Sequence, residues 1–376
     1  MLKNSLKNKF IKKKIIFGSS TPRSGGTLMT NIISLHPDAL ITKDIIHYFR
    51  YMHRKYNLIS MKKNYSKLFY EFCLRVKYRN KIELSPKILI NKFQNLKKKN
   101  YNGILQTISE YFLDLNVNKK IIGENANSEW HNIKDFLLLD KSYKAFQVIR
   151  DPRAVLMSWK NLTYEPGYKY LVILFYWLDA IIHCERNLSK FGKKRFIKVR
   201  FEDIHHKPVI TLKSIYKFLN LRFSKKLLEK KNWNNQLLSK FNYINVTAFT
   251  NKKAIGFSKE RTNNWKKKIK PWEIAITQHI LNKFMIKNDY DIIKVDEKEL
   301  KKGLKHIKED KILNRYYLQF EKYGKGTHER LSDPAKPENW AATDTSKDIR
   351  LKFKDTSQYK DYVNELKKIE KFVTKI

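Results

Sequence analysis

The sequence predicts an α/β fold in which helices cover both faces of a central parallel sheet. Short segments rich in β-branched and aromatic residues, typical of buried parallel strands, recur between residues 13 and 200. Each of these segments is followed by a helical pattern, and this alternation is typical of three-layer α/β domains. Right-handed crossovers bring the carboxyl ends of such strands to one edge of the sheet.

The predicted elements occupy most of the first 290 residues. The predicted strands are residues 13–19, 119–125, 144–149 and 194–200, and the predicted helices are residues 27–36, 131–140, 153–162, 169–190, 209–221 and 271–285. Residues 44–115 have the pattern of basic, aromatic-rich helices, and residues 222–270 are polar and loop-rich.

The pattern changes after residue 296. A charged helix to about residue 323 is followed by a segment rich in Gly, Pro and Asp at 324–348 and by a terminal helical stretch. We therefore expect a main domain over residues 1–296 and a helical, loop-containing C-terminal extension over residues 297–376.

The chain is strongly basic, with a formal net charge of +43. Residues 297–376 carry only +6 of this charge, so the excess lies in the main domain. Such an excess favours polyanionic partners. Runs of Lys and Asn such as NKKK are also what AT-rich coding produces, and this explanation stays open.

Several classes of protein are excluded by what the sequence lacks. Cys73 and Cys184 are its only cysteines, so we expect neither a disulfide framework nor a thiolate metal cluster, and no His, Asp and Cys set has ligand spacing. The longest apolar run, residues 171–178, is too short to cross a membrane, and the basic start leaves no room for a signal peptide. The expectation is a cytoplasmic protein with no metal and no membrane span.

The first motif is STPRSGGT, directly after the first predicted strand. Glycines there allow backbone amides to approach an oxyanion, Ser24 and Thr27 add hydroxyl donors, and the helix that begins at Thr27 contributes its positive end. In the register of the P-loop pattern G-x-x-x-x-G-K-S/T, Gly26 occupies the lysine position. The cation stands three residues earlier, at Arg23.

The second motif is VIRDPRAVLMS, where Arg150 leaves the third predicted strand and Ser158 follows eight residues later. Because both motifs stand at the ends of parallel strands, we expect them to lie at the same edge of the sheet. Together they predict a ligand with two anionic ends.

PRSGGT and VIRDPRAVLMS resemble the 5′-phosphosulfate and 3′-phosphate motifs of sulfotransferases that use 3′-phosphoadenosine 5′-phosphosulfate (PAPS). HPD after the first helix, and RFED, FLNL and FSKERTNNWKK after the second motif, stand in the order seen in that family, so that the resemblance spans about residues 14–290. The first motif is most similar to tyrosylprotein and related bacterial sulfotransferases, and HYF at 47–49 is similar to heparan-sulfate enzymes.

The resemblance implies a P-loop-like phosphosulfate-binding turn and a role for each matching residue. Arg23 is expected to neutralise charge on the leaving group, and Trp265 to pack beneath the late loop. The residues implied in nucleotide binding are Arg23, Ser24, Gly25, Gly26 and Thr27 at the 5′ end, and Arg150, Ser158, Ser258, Lys259 and Arg261 at the 3′-phosphate. The family works without a metal.

At the general base and at the cation near the sulfuryl group, this chain departs from the pattern of the family. Related enzymes place a Glu soon after HPD, and the nearest acid here is Asp44, with His47 and Glu124 as alternatives. Many relatives have G-x-K-x-P where this chain has GENAN at 123–127. Either Asn125 donates a hydrogen bond in place of that lysine, or another cation such as Lys259 assists, or activity is reduced.

These expectations describe a PAPS-dependent sulfotransferase that acts on a hydroxyl of a glycan or similar large acceptor. The acceptor walls are expected from residues 44–118 and 222–255, whereas Glu202 and Asp203 are expected to be structural. The alternatives are a protein-tyrosine sulfotransferase, a P-loop kinase, and a protein that binds 3′-phosphoadenosine 5′-phosphate (PAP) without catalysis. A nucleic-acid-binding protein would fit the charge, but the chain has no RNP, helix-turn-helix or zinc pattern, so no specific nucleic-acid partner is expected. The oligomeric state stays open.

Overall fold

A five-stranded parallel sheet forms the centre of the protein, as a computed structural model describes it for residues 14–80, 82–114, 119–160, 167–229, 256–329 and 357–373. The strands lie in the order β2-β3-β1-β4-β5. They are β1 (Lys14–Ser20), β2 (Ala39–Lys43), β3 (Ile121–Asn127), β4 (Lys144–Ile149) and β5 (Phe196–Arg200). The predicted α/β fold class is confirmed.

Strand β2 was not predicted from the sequence. It pairs in parallel with β3 at one edge of the sheet, and all five of its residues are buried. Only Ala39, Leu40 and Ile41 are apolar, and a run of three apolar residues after a proline has too little periodicity to indicate a strand. The consequence is that β2 carries Asp44 to the sheet edge where the other strands end.

The register aligns the carboxyl ends of the central strands. Ser20 at the end of β1 pairs with Asn127 of β3 on one side and with Val148 of β4 on the other. Because β1 is the middle strand, the turn that follows it lies between the turns that follow its two neighbours. This places the two sequence motifs side by side.

Helices cover both faces of the sheet. They are α1 (Gly26–Ser34), α2 (Tyr48–Tyr51), α3 (Lys62–Asn80), α4 (Pro86–Gln94), α5 (Tyr101–Asp114), α6 (Ile133–Leu139), α7 (Pro152–Lys160), α8 (Val172–Arg195), α9 (Phe201–His206), α10 (Pro208–Leu219), α11 (Glu260–Asn263), α12 (Pro271–Lys287), α13 (Glu297–Glu309), α14 (Lys311–Tyr323) and α15 (Ser357–Val373). Side chains of α1 and α10 form one core layer with the sheet, and those of α3 to α6, α8 and α12 to α14 form the other.

The helices differ from the sequence prediction in a few places. The helix predicted at 169–190 runs as far as Arg195, with one non-helical residue, Gly192, at φ 63°. The single charged helix predicted up to residue 323 is two helices, because the side chain of Asp310 accepts hydrogen bonds from the N–H groups of Ile312 and Leu313 and so starts a new helix. Residues 230–255, 330–356 and 161–166 lie outside the described part of the chain.

The C-terminal extension shares the core of the main domain. Ile307, Leu313 and Tyr316 belong to the same hydrophobic cluster as the residues of α8 and α12. Helix α15 lies along α3, where the hydroxyl of Tyr78 donates to Glu365 at 2.6 Å. Residue 296 therefore marks a change in sequence pattern, while the described parts on either side of it pack together. Among the described helices, none has the length and apolar character needed to cross a membrane.

Replacing Gly123 by alanine is expected to destabilise the sheet. A methyl group there would lie 2.3 Å from the carbonyl oxygen of Ile16, a backbone atom that cannot move without breaking β1 from its neighbours. We expect Gly123→Ala to lower the free energy of unfolding by about 2 kcal/mol, measured by thermal and urea unfolding. Ser60→Ala, in an exposed turn, is the control. An unchanged unfolding midpoint for Gly123→Ala would contradict this packing.

Candidate functional site

The turn after β1 has a backbone conformation that requires glycine. Gly25 has φ 95°, and a side chain there would come within 2.3 Å of the ring of Phe201. The hydroxyl of Ser24 hydrogen-bonds to that of Thr21, and the N–H of Ser24 donates to the carbonyl of Thr21 at 3.2 Å. Helix α1 begins directly afterwards, so that the amides of its first turn and the half-buried Thr27 face the end of the sheet.

Asn125 holds the start of α1 against the sheet. Its Nδ2 donates to the carbonyl of Gly26 at 2.7 Å and contacts the hydroxyl of Thr30 at 3.2 Å, and the whole side chain is buried. The amide nitrogen that was expected to replace a family lysine is therefore engaged with the backbone. Its neighbour in the sheet is Lys43, which pairs with Asn125 in the register of β2 and β3. Paired residues of adjacent strands point to the same face, so Lys43 carries a cation to the face on which Asn125 lies.

The two motifs meet through Arg23, Ser158 and Arg150. Nε of Arg23 donates to the hydroxyl of Ser158 at 2.9 Å, and Nη1 of Arg150 donates to the carbonyl oxygen of Arg23 at 3.0 Å. Burial and the nearby charge of Arg150 lower the pKa of Arg23 to about 10. Two guanidinium groups thus lie close together in a poorly hydrated place, which is the electrostatic setting of an anion site.

Arg150 also joins the late loop to this site. Its Nη2 donates to the carbonyl of Arg261 at 2.9 Å, and its guanidinium lies 4.3 Å from the ring centre of Phe201. Its Nε is buried and has no hydrogen-bond partner within the described residues. A buried donor without a partner is costly, and an anion bound here would satisfy it.

The late loop supplies three further predicted residues. The N–H of Ser258 donates to Nδ1 of His205 at 3.1 Å, and Arg261 meets Arg150 through its carbonyl, so both lie beside the second motif. Lys259 is exposed, at the residue before α11. Trp265 is buried with the guanidinium of Arg153 4.3 Å from its ring centre, in agreement with the packing role expected for it.

Glu202 and Asp203 have structural contacts, as the sequence indicated. A carboxylate oxygen of Glu202 accepts the N–H of Asp151 at 2.9 Å, which fixes the turn that carries Arg150. Burial raises the pKa of Glu202. Asp203 is partly exposed and lies 3.7 Å from Nη1 of Arg200.

Asp44 is a stable carboxylate at the same sheet edge. It accepts the N–H of Asn127 at 2.7 Å and the Asn127 side-chain amide at 3.0 Å, and it pairs with Nζ of Lys43 at 3.0 Å. Burial by itself raises the pKa of Asp44, but Lys43, His47 and the Asn127 N–H outweigh burial and lower the pKa to about 2. Such a carboxylate has little affinity for a proton at neutral pH.

His47 has the arrangement of an activated imidazole. Its Nδ1 lies 2.5 Å from Oε1 of the buried Glu129, which accepts the Nδ1 proton and leaves the lone pair on Nε2. Nε2 has no hydrogen-bond partner among the described residues, and Oδ1 of Asp44 is 3.9 Å away. Burial and the positive charge of Arg79 lower the pKa of His47 well below its ordinary value, despite the attraction of Asp44, so the ring is neutral at pH 7.

Glu124 supports this turn from below. Its carboxylate accepts the N–H of Ile46 at 2.6 Å and the N–H of His47 at 2.8 Å. Burial and the neighbouring charge of Glu129 raise the pKa of Glu124 to about 8. Its oxygens are occupied by backbone groups, so Glu124 positions His47.

Backbone strain gathers at this edge of the sheet. Arg23, Asp44, His47 and Ser128 all have positive φ, at 69°, 54°, 45° and 56°. Each such residue outside glycine costs on the order of 1–3 kcal/mol, and such costs cluster at binding and catalytic sites. The strain coincides with the first sequence motif and with the candidate bases Asp44 and His47.

Sequence reasoning missed Glu129 and Asn127, which hold His47 and Asp44. Asn127 is the last residue of GENAN and Glu129 follows two residues later, both at the end of a parallel strand, and that position alone marks them as candidates. Among the described residues, no group of three or more His, Cys, Asp or Glu side chains is placed to hold a metal ion.

Comparisons with known proteins identify a related family. A family model described as "Sulfotransferase family" matches residues 16–225, and no curated protein matches the chain. The sulfotransferase domain from the Synechococcus PCC 7002 olefin synthase is similar, with 18% identity over 74% of this chain and 96% of that chain, at a TM-score of 0.52. The sulfotransferase domain from the curacin biosynthetic pathway has 17% identity over 75% of this chain and 99% of that chain, at a TM-score of 0.51. At these identities the two structures establish the fold.

Replacing Asn125 by aspartate is expected to loosen the first turn of α1. The change keeps the shape of the side chain but turns a donor into an acceptor facing the carbonyl of Gly26. We expect the free energy of unfolding to fall by about 1–3 kcal/mol, measured by urea unfolding. Asn57→Asp makes the same chemical change at an exposed position and serves as the control. Equal stability of the two variants would show that Asn125 does not brace α1.

Proposed function

The chain belongs to the sulfotransferase family, and from this premise we propose that it transfers the sulfuryl group of PAPS to a hydroxyl of a glycan or similar large acceptor. The observation that carries the proposal is the meeting of Arg23, from the turn after β1, with Arg150 and Ser158, from the turn and the helix after β4. Sulfate transfer from labelled PAPS to a panel of glycans and tyrosine peptides tests it. Transfer to tyrosine peptides alone would favour the protein-tyrosine alternative, and PAP binding without any transfer would favour the non-catalytic one.

The residues at the sheet edge fit the two anionic ends of the donor. The glycine turn and Arg23 would hold the 5′ end, because Gly25 and Gly26 let the backbone pass close to Phe201 and Ser20, where a side chain would clash. Arg150 has a buried Nε without a partner among the described residues, and with Ser158, Ser258 and Arg261 it would hold the 3′-phosphate. Bound PAPS supplies a sulfuryl group attached to a phosphate leaving group.

Arg23 would stabilise charge that grows on the leaving phosphate. Its guanidinium is fixed by Ser158 before the reaction, so little reorganisation is needed when the charge develops. An interaction that strengthens in the transition state raises kcat as well as affinity. This assigns Arg23 to catalysis and binding together.

Lys43 would supply the cation that GENAN lacks. It stands beside Asn125 in the sheet, is almost fully buried and is held by Asp44 at 3.0 Å. Lys259, the other candidate, is exposed on the late loop and could contribute only when that loop closes. Lys43, on the neighbouring strand, can therefore take the place of the lysine that relatives have in G-x-K-x-P.

His47 would act as the general base. Its neutral ring has the Nδ1 proton held by Glu129 and the lone pair at Nε2, which is the form that accepts a proton from an acceptor hydroxyl. Asp44 is the weaker candidate because its pKa is lowered to about 2. Its place near Nε2 suits it to stabilise the imidazolium once the proton has moved.

Arg23→Ala is expected to reduce both donor binding and turnover. The loss of one charge-assisted contact should weaken PAP binding about 10- to 100-fold by calorimetry. The kcat for sulfate transfer should fall further, because the charge on the leaving group is greatest in the transition state. Lys213→Ala removes an exposed charge on α10 and should change neither value. Unchanged PAP affinity in Arg23→Ala would refute the assignment of the first motif.

His47→Asn is expected to lower kcat/KM on the order of 100- to 10,000-fold while PAP affinity stays the same. In the unmodified protein the neutral ring is the active form, and its pKa lies below the ordinary value of 6.5. The kcat/KM should therefore stay level as the pH falls past 6.5 and decline only in more acidic buffer. Asp44→Asn should keep this profile with a smaller loss. A larger loss in Asp44→Asn than in His47→Asn would make Asp44 the base.

A further inference from the structure

The turn that carries His47 is held at both ends of its peptide groups. Nη2 of Arg75 donates to the carbonyl oxygen of Ile45 at 2.9 Å and to that of Ile46 at 2.6 Å. The carboxyl group of Glu124 accepts the N–H of Ile46 at 2.6 Å and the N–H of His47 at 2.8 Å. The carbonyl of one residue and the N–H of the next belong to the same peptide group. Two successive peptide groups therefore lie between Arg75 and Glu124, and we call this arrangement the peptide clamp.

The charges in the peptide clamp match the dipoles of the peptide groups. A peptide group is negative at its oxygen and positive at its N–H, so the guanidinium of Arg75 faces both negative ends and the carboxyl oxygens of Glu124 face both positive ends. Arg75 stands on α3 and Glu124 on β3, and their side chains are buried, with the two residues 3% and 4% exposed. Hydrogen bonds of this kind are strong in a poorly hydrated place and leave the turn little freedom.

The peptide clamp lies between two strained residues. Asp44 has φ 54° and His47 has φ 45°, so both stand in the left-handed region, and Ile45 and Ile46 connect them. A conformation of this cost persists only where the surrounding contacts hold it. The same conformation places Nδ1 of His47 2.5 Å from Oε1 of Glu129. Loss of the clamp would let the turn relax and would turn the imidazole away from this position.

The buried position of Arg75 is costly for stability. Its Nε and Nη1 have no hydrogen-bond partner among the described residues, and its guanidinium lies 4.0 Å from the ring centre of Tyr51. Burial lowers the pKa of Arg75, although Tyr51 and Glu124 act in the opposite direction. An apolar side chain here would avoid this desolvation. The arginine is therefore better explained by the two carbonyl groups that it holds than by the stability of the fold.

The C-terminal helix α15 packs on the part of α3 that carries Arg75. Leu74, the neighbour of Arg75, is buried in one hydrophobic cluster with Tyr362 of α15. The ring of Tyr362 lies 5.6 Å from that of Tyr78, whose hydroxyl donates to Glu365 at 2.6 Å. The extension thus contributes to the burial of the helix from which Arg75 reaches the turn.

We propose that Arg75 is a positioning residue for sulfuryl transfer, which together with Glu124 fixes the peptide groups of residues 45–47 and so the direction in which His47 presents Nε2. The inference rests on the proposed role of His47 as the general base. Arg75 acts through His47, so its loss is expected to affect turnover and to leave the affinity for PAP unchanged.

Amide hydrogen exchange tests the peptide clamp without an assay of activity. The N–H groups of Ile46 and His47 are expected to exchange slowly in the unmodified protein and at least about tenfold faster in Arg75→Met. Exchange in β4 and PAP binding by calorimetry should be unchanged, which shows that the variant is folded. Arg186→Met makes the same change at an exposed position of α8 and is the control. Unchanged exchange of the two amides in Arg75→Met would overturn the proposal.

Kinetic measurements connect the clamp to the reaction, with sulfate transfer from labelled PAPS to whichever of chondroitin, heparosan and a tyrosine peptide accepts it. We expect Arg75→Met to lower kcat about 10- to 100-fold and to leave the KM for PAPS unchanged, because a misdirected base slows the chemical step. Arg75→Lys should recover part of the loss, since one ammonium nitrogen can donate to two carbonyl oxygens as Nη2 does. An unchanged kcat in Arg75→Met would overturn the positioning role.

The pH profile separates positioning from a loss of folded protein. Burial and Arg79 lower the pKa of His47, and the positive charge of Arg75 adds to this effect. The decline of kcat/KM in acid should therefore move to higher pH in Arg75→Met and stay in place in Arg75→Lys, which keeps the charge. These variants keep the other charged groups near His47, which are Asp44, Arg50, Arg79 and Glu129. A lower rate with the decline unmoved in Arg75→Met would contradict the proposal.

The outcomes separate this proposal from the one on which it rests. Should Arg75→Met not fold, Arg75→Lys decides, because an exchange rate and a kcat equal to those of the unmodified protein would show that an ammonium group suffices and that the fork of Arg75 is not needed for positioning. Absence of PAP binding in the unmodified protein would overturn the sulfotransferase function, whereas the exchange of Ile46 and His47 would still decide whether Arg75 holds the turn.

Discussion

Two half-buried arginines, Arg23 and Arg150, held side by side against their mutual repulsion are the interaction on which the rest of the site depends. Within the described part of the chain Arg150 forms no ion pair with an acid; it donates to the backbone carbonyls of Arg23 and Arg261. These bonds tie the turn after β1 to the turn after β4 and to the late loop, so one side chain sets the relative position of three segments. Because carbonyl oxygens only partly offset two positive charges, the folded protein keeps a strong local preference for an anion. The contact between Arg23 and Arg150 is possible because β1 and β4 are neighbouring strands that end at the same level.

Around His47, at the same edge of the sheet, three carboxyl groups have different surroundings. Asp44 is held as an anion by Lys43 and by Asn127, Glu124 is raised in pKa by burial and by Glu129, and Glu129 faces the imidazole of His47. Environments that push neighbouring titratable groups apart allow each to have a different role at one pH. Here the outcome is that His47 is neutral and has a left-handed backbone conformation. The carboxyl group of Glu124 supports it by accepting the backbone N–H of His47.

The sequence was sufficient for the sheet, the two motifs and their meeting, because strand ends, glycine turns and the crossover rule are local or topological features. It was insufficient for β2, whose five residues include only three apolar ones. The sequence was also insufficient to choose among Asp44, His47 and Glu124 as the candidate general base. That choice depends on which groups β3 and the residues after it present to the turn at 44–47, and Glu129 and Asn127 take part only once the sheet has formed. The contact of α15 with α3 is likewise a long-range feature, joining residues nearly 290 positions apart.

The high positive charge of the chain has two components, one from its overall composition and one from the residues at the sheet edge. The chain has 64 lysines and 15 arginines, and AT-rich coding favours lysine. Yet the cations that meet at the sheet edge are mainly arginines: Arg23, Arg150 and Arg261 beside the two sequence motifs, and Arg50, Arg75 and Arg79 near His47. A residue type that forms a fifth of the basic groups dominates the site, because a planar fork of donors suits sulfate, phosphate and carboxylate better than an ammonium group does. The surface lysines then add a general field that raises the encounter rate with anions and weakens with salt, whereas the arginines concentrate forked donors at the edge of the sheet.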